Sequence, residues 1–248
     1  TQHISCFDYS SGASAGSDNL LRLYSTQSPS RYISHSRNSS GIQINSNSVF
    51  RTGSNIWSSI WNSSSSFGAY FNSSLNYFST GANSSPTGHN NIFLGSKNAL
   101  NVDALDGDIS EYIVFSKSLN NAERIILENY LSTKYLIALS SNDKFSHDLT
   151  HGNQLAGIGR EDASNQHLDA QGEGILRVTS SGLDNGEYLM WGHDNGSLSS
   201  TATGLPGSLG ASGAMLERQW RFSETGSGFG SISVSFDLSS GLALGDPN

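Results

Sequence analysis

Three carboxylates stand within six residues, at Asp103, Asp106 and Asp108, on a loop that leads into a predicted strand. Carboxylate oxygens suit Ca²⁺, which takes about six to eight oxygen ligands in proteins. The spacing is not that of an EF-hand, because the glycine and the distal glutamate of that motif are not at the required positions. We therefore predict a Ca²⁺ site here, and a solvated acidic turn is the alternative.

Two other polar segments contain metal-ligand residue types, but simpler interpretations account for both. The string Asp184-Asn185-Gly186 is first of all the signal of a tight turn. His147, Asp148 and His151 have a metal-ligand spacing, yet zinc needs rigidly held ligands and this stretch lacks a further strong one. We interpret the histidine-containing stretch as part of a solvent-exposed connector.

Aromatic side chains crowd one region that is otherwise rich in serine and asparagine. They are Trp57, Trp61, Tyr70, Phe71, Tyr77 and Phe78. Aromatic faces can stack on sugar rings, but each aromatic also buries a large area when it packs in a core. Most of these rings are expected in the core. Tyr32 and Tyr77, which we place at loop ends, are the candidates for contacting a ligand.

Residues 1–100 are expected to form short strands separated by loops of serine, asparagine and glycine. Apolar and polar residues alternate in several segments, as in Leu21-Arg22-Leu23-Tyr24, which is the period-two pattern of a half-buried sheet. Short strands with regular turn signals favour an all-β sandwich over an α/β fold. The predicted strands are His3–Tyr9, Leu20–Tyr24, Gln43–Phe50, Asn55–Trp61, Phe67–Phe71 and Asn91–Leu94.

One strong helix is predicted soon after a predicted strand at Asp108–Phe115. Asn120 is a suitable N-cap, and Glu123 follows at the spacing of a capping box. An apolar stripe at helical spacing comes next, at Ile126, Leu127, Tyr130 and Leu131. The helix is expected over Asn121–Tyr135, where it would cover one end or edge of the preceding sandwich.

A second β-rich region follows a polar connector. Its predicted strands are Leu155–Gly159, Ile175–Thr179, Tyr188–Gly192, Glu217–Phe222 and Ser231–Asp237. We therefore predict a first domain over residues 1–139, a connector over 140–153 and a second domain over 154–248.

Charge and composition exclude several classes of protein. Charged residues make up 14% of the chain and the formal net charge is −8. Neither half of the chain has a Lys/Arg cluster, so nucleic acid is not an expected partner. No apolar run approaches the roughly 18 residues of a membrane span. Cys6 is the only cysteine, which excludes an intrachain disulfide and a cysteine-based metal site.

The sequence has no catalytic motif in the context that its chemistry requires. Glycosidases use two carboxylates on either side of the scissile bond, but no Glu-x-Asp-x-x-Glu strand occurs, and Glu111 and Glu161-Asp162 are isolated. The Gly-x-Ser-x-Gly string at residues 12–16 falls in a predicted loop between strands, not on the strand-to-helix turn of a nucleophile elbow. There is no P-loop. We therefore expect a protein that is not an enzyme.

The segment Leu105–Leu139 resembles the closing segment of laminin-G-like, concanavalin A-like jelly-roll modules of bacterial extracellular, adhesin-type proteins. The matching residues are Gly107, Ile109, Glu111, Leu119, Asn120, Glu123, Tyr130, Leu131, Lys134 and Tyr135. Leu136 stands where these modules usually have glycine. Two later strings, Leu155–Asp162 and Leu189–Asp194, resemble the β-sandwich that often follows such modules in secreted proteins of marine bacteria.

The resemblance implies an all-β protein: a jelly-roll-like sandwich with one short α-helix, followed by a second β-sandwich. It also implies that the first sandwich lacks its first strands, that the second continues beyond Asn248, and that the protein is secreted to a bacterial cell surface. Such modules often bind Ca²⁺ at the sandwich rim. The expected function is that of a non-catalytic adhesin module that recognises a glycan or another cell-surface ligand.

Two alternatives remain open at this point. One is a structural subunit of an extracellular filament or sheath, because a sandwich that lacks strands has open edges that can pair with a neighbour. The other is a carbohydrate-active enzyme or its accessory module. The fold resemblance does not decide among them, since one sandwich fold hosts many functions.

Overall fold

The structure is a computed structural model of the 248-residue chain. It describes residues 2–8, 20–27, 30–37, 43–45, 48–49, 53–62, 66–80, 91–96, 105, 107–172, 175–201, 215–226, 228 and 230–237. Up to Val49 the description covers the backbone alone. Antiparallel strands dominate the described residues, which also contain two helices, and the predicted all-β class is confirmed. Neither described helix has the length and apolar character needed to cross a membrane.

The chain divides into two compact units, Thr1–Ser118 and Leu119–Asn248. The sequence prediction places the boundary later, at the connector over residues 140–153. The difference arises because the predicted helix packs on strands of the second unit. The expected connector includes a short helix and the buried side chain of Phe145, so it is an ordered part of that unit.

The first unit contains two described antiparallel sheets. One has the strand order β4-β3-β2-β1-β9, with β5 also paired to β3, and the other has the order β6-β7-β8. The strands are β1 Gln2–Asp8, β2 Leu20–Gln27, β3 Ser30–Arg37, β4 Gln43–Asn45, β5 Ser48–Val49, β6 Trp57–Asn62, β7 Ser66–Phe71, β8 Ser74–Thr80 and β9 Asn91–Leu94.

Three segments of the first unit differ from the sequence prediction. Ser30–Arg37 and Ser74–Thr80 are strands that the pattern does not predict; each pairs along most of its length with the preceding strand. Asp108–Phe115 alternates like a strand but has no regular structure and no partner among the described strands. A strand needs a neighbour for its backbone hydrogen bonds, and alternation alone does not supply one.

The sheet β6-β7-β8 has one strongly apolar face. Phe67 and Ala69 are buried there, and Trp57, Trp61 and Tyr77 pack against them. The ring centroids of Trp61 and Phe67 lie 5.5 Å apart in an edge-to-face arrangement. These rings therefore belong to the hydrophobic core of the first unit, as expected for most aromatics of this region.

The second unit contains both helices and the remaining described strands. The elements are α1 Asn121–Tyr135, α2 Asp148–His151, β10 Asn153–Asp162, β11 Asn165–His167, β12 Asp169–Gln171, β13 Leu176–Ser180, β14 Glu187–His193, β15 Ser200–Thr201, β16 Met215–Leu216, β17 Trp220–Thr225 and β18 Ile232–Phe236. They form a central sheet, β11-β10-β14-β17, an outer sheet, β12-β13-β18, and the hairpin β15-β16.

The central sheet buries both of its faces. Alternation along β14 directs Leu189 and Trp191 to one face and Tyr188 and Met190 to the other. Leu189 and Trp191 pack against the outer sheet, where Leu176 is their neighbour. Tyr188 and Met190 pack beneath α1 and the segment that follows it. The second unit is thus layered as outer sheet, central sheet and helix.

Helix α1 has the predicted bounds and cap, but its buried face is not the predicted apolar stripe. Asn120 Oδ1 accepts a hydrogen bond from Glu123 N, and Glu123 Oε2 accepts one from Asn120 N, each at 3.0 Å. The predicted stripe is only half-buried. The buried residues are Ala122, Arg124, Ile125, Glu128, Asn129, Ser132 and Thr133. The position of β10 and β11 therefore selects the buried face, and hydrophobic periodicity does not.

Candidate functional site

An open groove lies between β17 and β18, the edge strands of the two sheets among the described residues. Cross-strand register aligns Phe222 with Trp191, and it aligns Phe236 with Leu176. Because residues opposite one another in a sheet share a face, Phe222 and Phe236 point inward from their two sheets. We call this feature the edge groove.

The edge groove encloses about 490 Å³ and its lining is mainly apolar. Its described lining residues are Leu176, Arg218, Gln219, Trp220, Arg221, Phe222, Val234 and Phe236. Ligand sites in proteins are typically concave and apolar, with a few polar groups that fix orientation. The edge groove has this composition.

The aromatic rings of the edge groove are held by packing on one side and exposed on the other. Trp220 and Phe236 meet edge to face with ring centroids 5.8 Å apart. The ring centroid of Phe222 lies 6.1 Å from that of the buried Trp191. Nevertheless, Phe222 is 39% exposed and Phe236 is 49% exposed. The groove thus presents fixed, solvent-accessible aromatic surfaces.

A short loop positions the polar residues at one end of the edge groove. Asp194 Oδ1 accepts hydrogen bonds from Gly196 N at 2.9 Å and from Gln219 N at 3.1 Å. Arg218 Nε donates to Gly196 O at 2.8 Å. These bonds join the loop after β14 to the residues that lead into β17, so they fix where Arg218 and Gln219 stand.

His193 is a buried residue that packs against Trp220, one of the lining residues of the groove. Its Nδ1 accepts a hydrogen bond from Asn195 N at 2.9 Å, so the proton of the neutral ring is on Nε2, which lies 2.6 Å from Gln154 Oε1. The ring is buried, and its centroid is 6.4 Å from that of Trp220. With both nitrogens engaged inside the protein, His193 packs and orients the groove wall.

The Asp194 carboxylate has a shifted pKa. Burial raises the pKa, but the hydrogen bonds from Gln219 N and Gly196 N, with a smaller contribution from His151, hold the pKa below its ordinary value. A carboxyl whose pKa is lower in the folded chain stabilises the fold above its unfolded pKa, near about 3.9. This contribution is lost as the pH falls through the folded pKa.

We therefore expect Asp194→Asn to lower the free energy of unfolding at pH 7, because the amide oxygen is a weaker acceptor for both backbone N–H groups. The difference between the two proteins shrinks as the pH falls from about 4, where the unfolded carboxyl binds its proton, through the lower pKa of the folded carboxyl. Urea unfolding at a series of pH values measures this. A difference that stays constant down to pH 2 would contradict the assignment.

A sequence profile of a domain of unknown function (DUF8202) matches residues 175–246. That match covers 72 of the 248 residues. No curated protein sequence and no solved structure matches the chain. The matched range contains all the described lining residues of the edge groove, from Leu176 to Phe236. The groove is therefore made from the part of the chain that the domain profile covers.

The predicted ligand-contacting tyrosines both lie within strands and not at loop ends. Tyr32 is in β3, where only the backbone is described. Tyr77 is in β8, opposite Ala69, and its ring centroid lies 6.4 Å from that of the buried Phe67. The structure thus gives Tyr77 a packing role on the apolar face of its sheet.

The predicted calcium site is described only in part. Asp103 and Asp106 lie outside the described residues, and Asp108 is an exposed residue in a segment without regular structure. Among the side chains that the structure describes, no group of three or more His, Cys, Asp or Glu residues is arranged to hold a metal ion. The calcium site therefore stays a prediction.

The other two polar segments have structural partners. Asp148 Oδ1 accepts a hydrogen bond from Thr133 Oγ1 at 2.6 Å, which ties α2 to α1. The predicted tight turn is confirmed, with Gly186 at φ +85°. Glu187 closes this turn, since its Oε2 accepts a hydrogen bond from Asp184 N at 2.7 Å. Both segments hold the second unit together.

Proposed function

We propose that this protein is a non-catalytic extracellular binding module of a bacterial surface adhesin, and that it recognises a glycan or another cell-surface ligand in the edge groove. In this proposal residues 1–139 include a jelly-roll-like sandwich and residues 154–248 a second β-sandwich. The observation that carries the proposal is the pair of half-exposed rings, Phe222 and Phe236, held in place around an open groove.

The geometry of the groove suits a sugar. A pyranose has apolar C–H faces that stack on aromatic rings and hydroxyl groups that need hydrogen-bond partners at the rim. Phe236 and Phe222 offer the rings, and Gln219 and Arg218 offer the polar groups. Because the rings are already held by their neighbours, little side-chain entropy is lost on binding. This preorganisation favours ligand binding.

The described lining supports a binding role over a catalytic one. General acid–base or nucleophilic catalysis needs a carboxylate, histidine, cysteine or activated hydroxyl beside the reacting atoms. The described lining residues contain none of these groups. In the calcium-dependent form of the proposal, Asp103, Asp106 and Asp108 of the first unit hold Ca²⁺ and order the loop that carries them.

The test begins with a glycan array, screened with the purified chain in millimolar Ca²⁺ and again in EDTA. We expect selective binding, and we expect Phe236→Ala to weaken it about tenfold because a stacking surface is removed. Phe78→Ala is the matched control, since Phe78 is a strand phenylalanine of similar exposure, 55%, in the other unit. Equal losses in the two variants, or no binding to any glycan, would count against the proposal. Loss of binding in EDTA and in Asp106→Ala would support its calcium-dependent form.

A second candidate function is a structural subunit of an extracellular filament or sheath. The observation that favours it is β18, because Ser231–Phe236 has no charged residue and no proline, and β18 pairs only with β13 among the described strands. Natural edge strands are usually blocked by charge, proline or a bulge. Light scattering over a concentration series tests this candidate, and dispersed monomers throughout would exclude it.

A further inference from the structure

We infer that the edge groove binds an anionic glycan, one that carries carboxylate or sulfate groups, and that Arg218 is the residue that binds the anion. This inference rests on the proposed function and narrows its ligand class. It depends on three features of the groove: the sign of its charges, the geometry of Arg218 and the aromatic rings beside it.

The charge of the groove is opposite to that of the chain around it. Residues 101–248 carry eight basic and nineteen acidic side chains, a net charge of −11. Yet the charged residues among the described lining are Arg218 and Arg221. Neither forms an ion pair with a described carboxylate. The unneutralised Arg218 guanidinium, beside a described lining that has no carboxylate, makes the groove complementary to an anion.

Arg218 has the geometry of an anion-binding residue. Its Nε donates to Gly196 O, which fixes the plane of the guanidinium group. The two terminal nitrogens make no hydrogen bond to the described residues. A planar guanidinium with free terminal N–H groups matches the two oxygens of a carboxylate or sulfate. Asp194, whose Oδ1 accepts from two backbone N–H groups, forms no ion pair with Arg218.

Arg221 is expected to contribute less than Arg218 to anion binding. Alternation along β17 places it on the opposite face from Trp220 and Phe222, across from Gly192. Its side chain therefore points away from the face that carries the rings of the groove. This placement gives an internal comparison, since removing the Arg221 charge should weaken anion binding less than removing that of Arg218.

The combination of rings and arginines favours an anionic sugar over a protein strand. A stacked sugar leaves its acidic substituent at the rim, where a guanidinium can bind it in water. A strand of a partner protein that covered the same apolar surface would remove Arg218 from water without supplying a matched charge, which is unfavourable. The glycan therefore uses both features of the groove.

The experiment compares pairs of polymers that differ mainly in charge: polygalacturonate with its methyl ester, and dextran sulfate with dextran. The full chain is used, as wild type and as Arg218→Gln, Arg218→Lys, Arg221→Gln and Arg177→Gln. Arg177 is the matched control, because it is an exposed arginine of β13 that pairs with Asp169 and is not a lining residue. Binding is measured by biolayer interferometry at two salt concentrations, and circular dichroism checks that each variant is folded.

We expect wild-type protein to prefer a charged polymer at least tenfold over its neutral partner. Arg218→Gln should lose about tenfold in affinity, Arg218→Lys and Arg221→Gln less, and Arg177→Gln nothing. The polymer pair that shows the preference identifies carboxylate or sulfate as the bound group. Added salt should weaken binding of the charged polymers only.

Several results would overturn the inference. Equal affinity for charged and neutral polymers would reject the anionic class while leaving glycan binding intact. An equal loss in Arg177→Gln and Arg218→Gln would show that net charge, and not the groove, determines binding. Binding to no polymer, with or without self-association of the chain, would reject the inference and the proposed glycan function together.

Discussion

Replacing Arg124 by methionine is expected to lower the free energy of unfolding of the second unit by about 3–5 kcal/mol. Arg124 and Glu128 form an ion pair one turn apart on the buried face of α1, with Arg124 5% exposed and Glu128 0% exposed. Removing the guanidinium leaves the buried carboxylate without its Arg124 partner. Breaking such a pair costs far more than the pair contributes relative to apolar residues of similar volume.

A variant that loses both charges of the ion pair is expected to be more stable than one that loses the arginine alone. Arg124→Met combined with Glu128→Leu removes both charges, so stability should recover most of the loss. Arg177→Met is the control, because its ion pair with Asp169 is exposed and its removal should change little. Hydrogen exchange of peptides from α1 and β14 measures the free energy of opening of the second unit. Urea unfolding gives an independent measure of its stability. A double variant no more stable than Arg124→Met would contradict the explanation.

The second large effect is expected at Gly159. Gly157 and Gly159 lie on the helix-facing side of β10, directly opposite Met190 and Tyr188. A Cβ added at Gly159 would overlap the Tyr188 ring, and one added at Gly157 would overlap Met190 Sδ. The two glycines therefore make room for large side chains of β14 under the helix.

Tyr188 and Met190 differ in their ability to move aside. Tyr188 is fully buried, its hydroxyl donates to Glu161 Oε1 at 2.7 Å, and Lys144 Nζ lies 4.9 Å from its ring centroid. Burial, helped by the bond to Glu161, also raises the pKa of this phenol well above its usual range. Met190 is a flexible thioether side chain that can change rotamer. The ring is therefore the less adjustable neighbour.

We expect Gly159→Ala to lower the free energy of unfolding by about 3 kcal/mol and Gly157→Ala by about 1 kcal/mol. Gly182→Ala is the control, because no atom of the structure lies within 4 Å of its added Cβ and the change should stay within about 0.5 kcal/mol. Urea unfolding of the three variants measures the loss in the free energy of unfolding for each. A Gly157→Ala variant as unstable as Gly159→Ala would show that the rigidity of Tyr188 is not the cause.

Features of the fold that depend on neighbouring residues are predicted correctly from the sequence. The capping box of Asn120 and Glu123 and the bounds of α1 depend on residues within one helix, and both are as predicted. The turn at Asp184-Asn185-Gly186 requires a left-handed residue, and glycine is there. Strand β9 also has its predicted bounds, Asn91–Leu94. In each case neighbouring residues carry the information.

Features that depend on contacts between distant segments of the chain are predicted less well. Tyr32 and Tyr77 lie in strands whose partners define them, and the segment Asp108–Phe115, predicted as a strand, belongs to none of the described sheets. The stripe that contains Ile126 is apolar, yet the face of α1 that includes Glu128 is the buried one. Hydrophobic periodicity states which residues would benefit from burial and does not state which surface will cover them.

The edge groove combines features that neighbouring residues determine with features that only distant segments determine. The chain alone predicts both of its strands, Glu217–Phe222 and Ser231–Asp237, with small differences in their bounds. That these strands stand at one edge of two facing sheets, with Phe222 and Phe236 turned toward each other, depends on the pairing of β17 with β14 and of β18 with β13. Local chemistry along the chain therefore settles the capped helix, the turn and several strands, including the two that border the groove. The site exists only after long-range hydrogen bonding brings separate strands together, because that pairing is not a property of either strand.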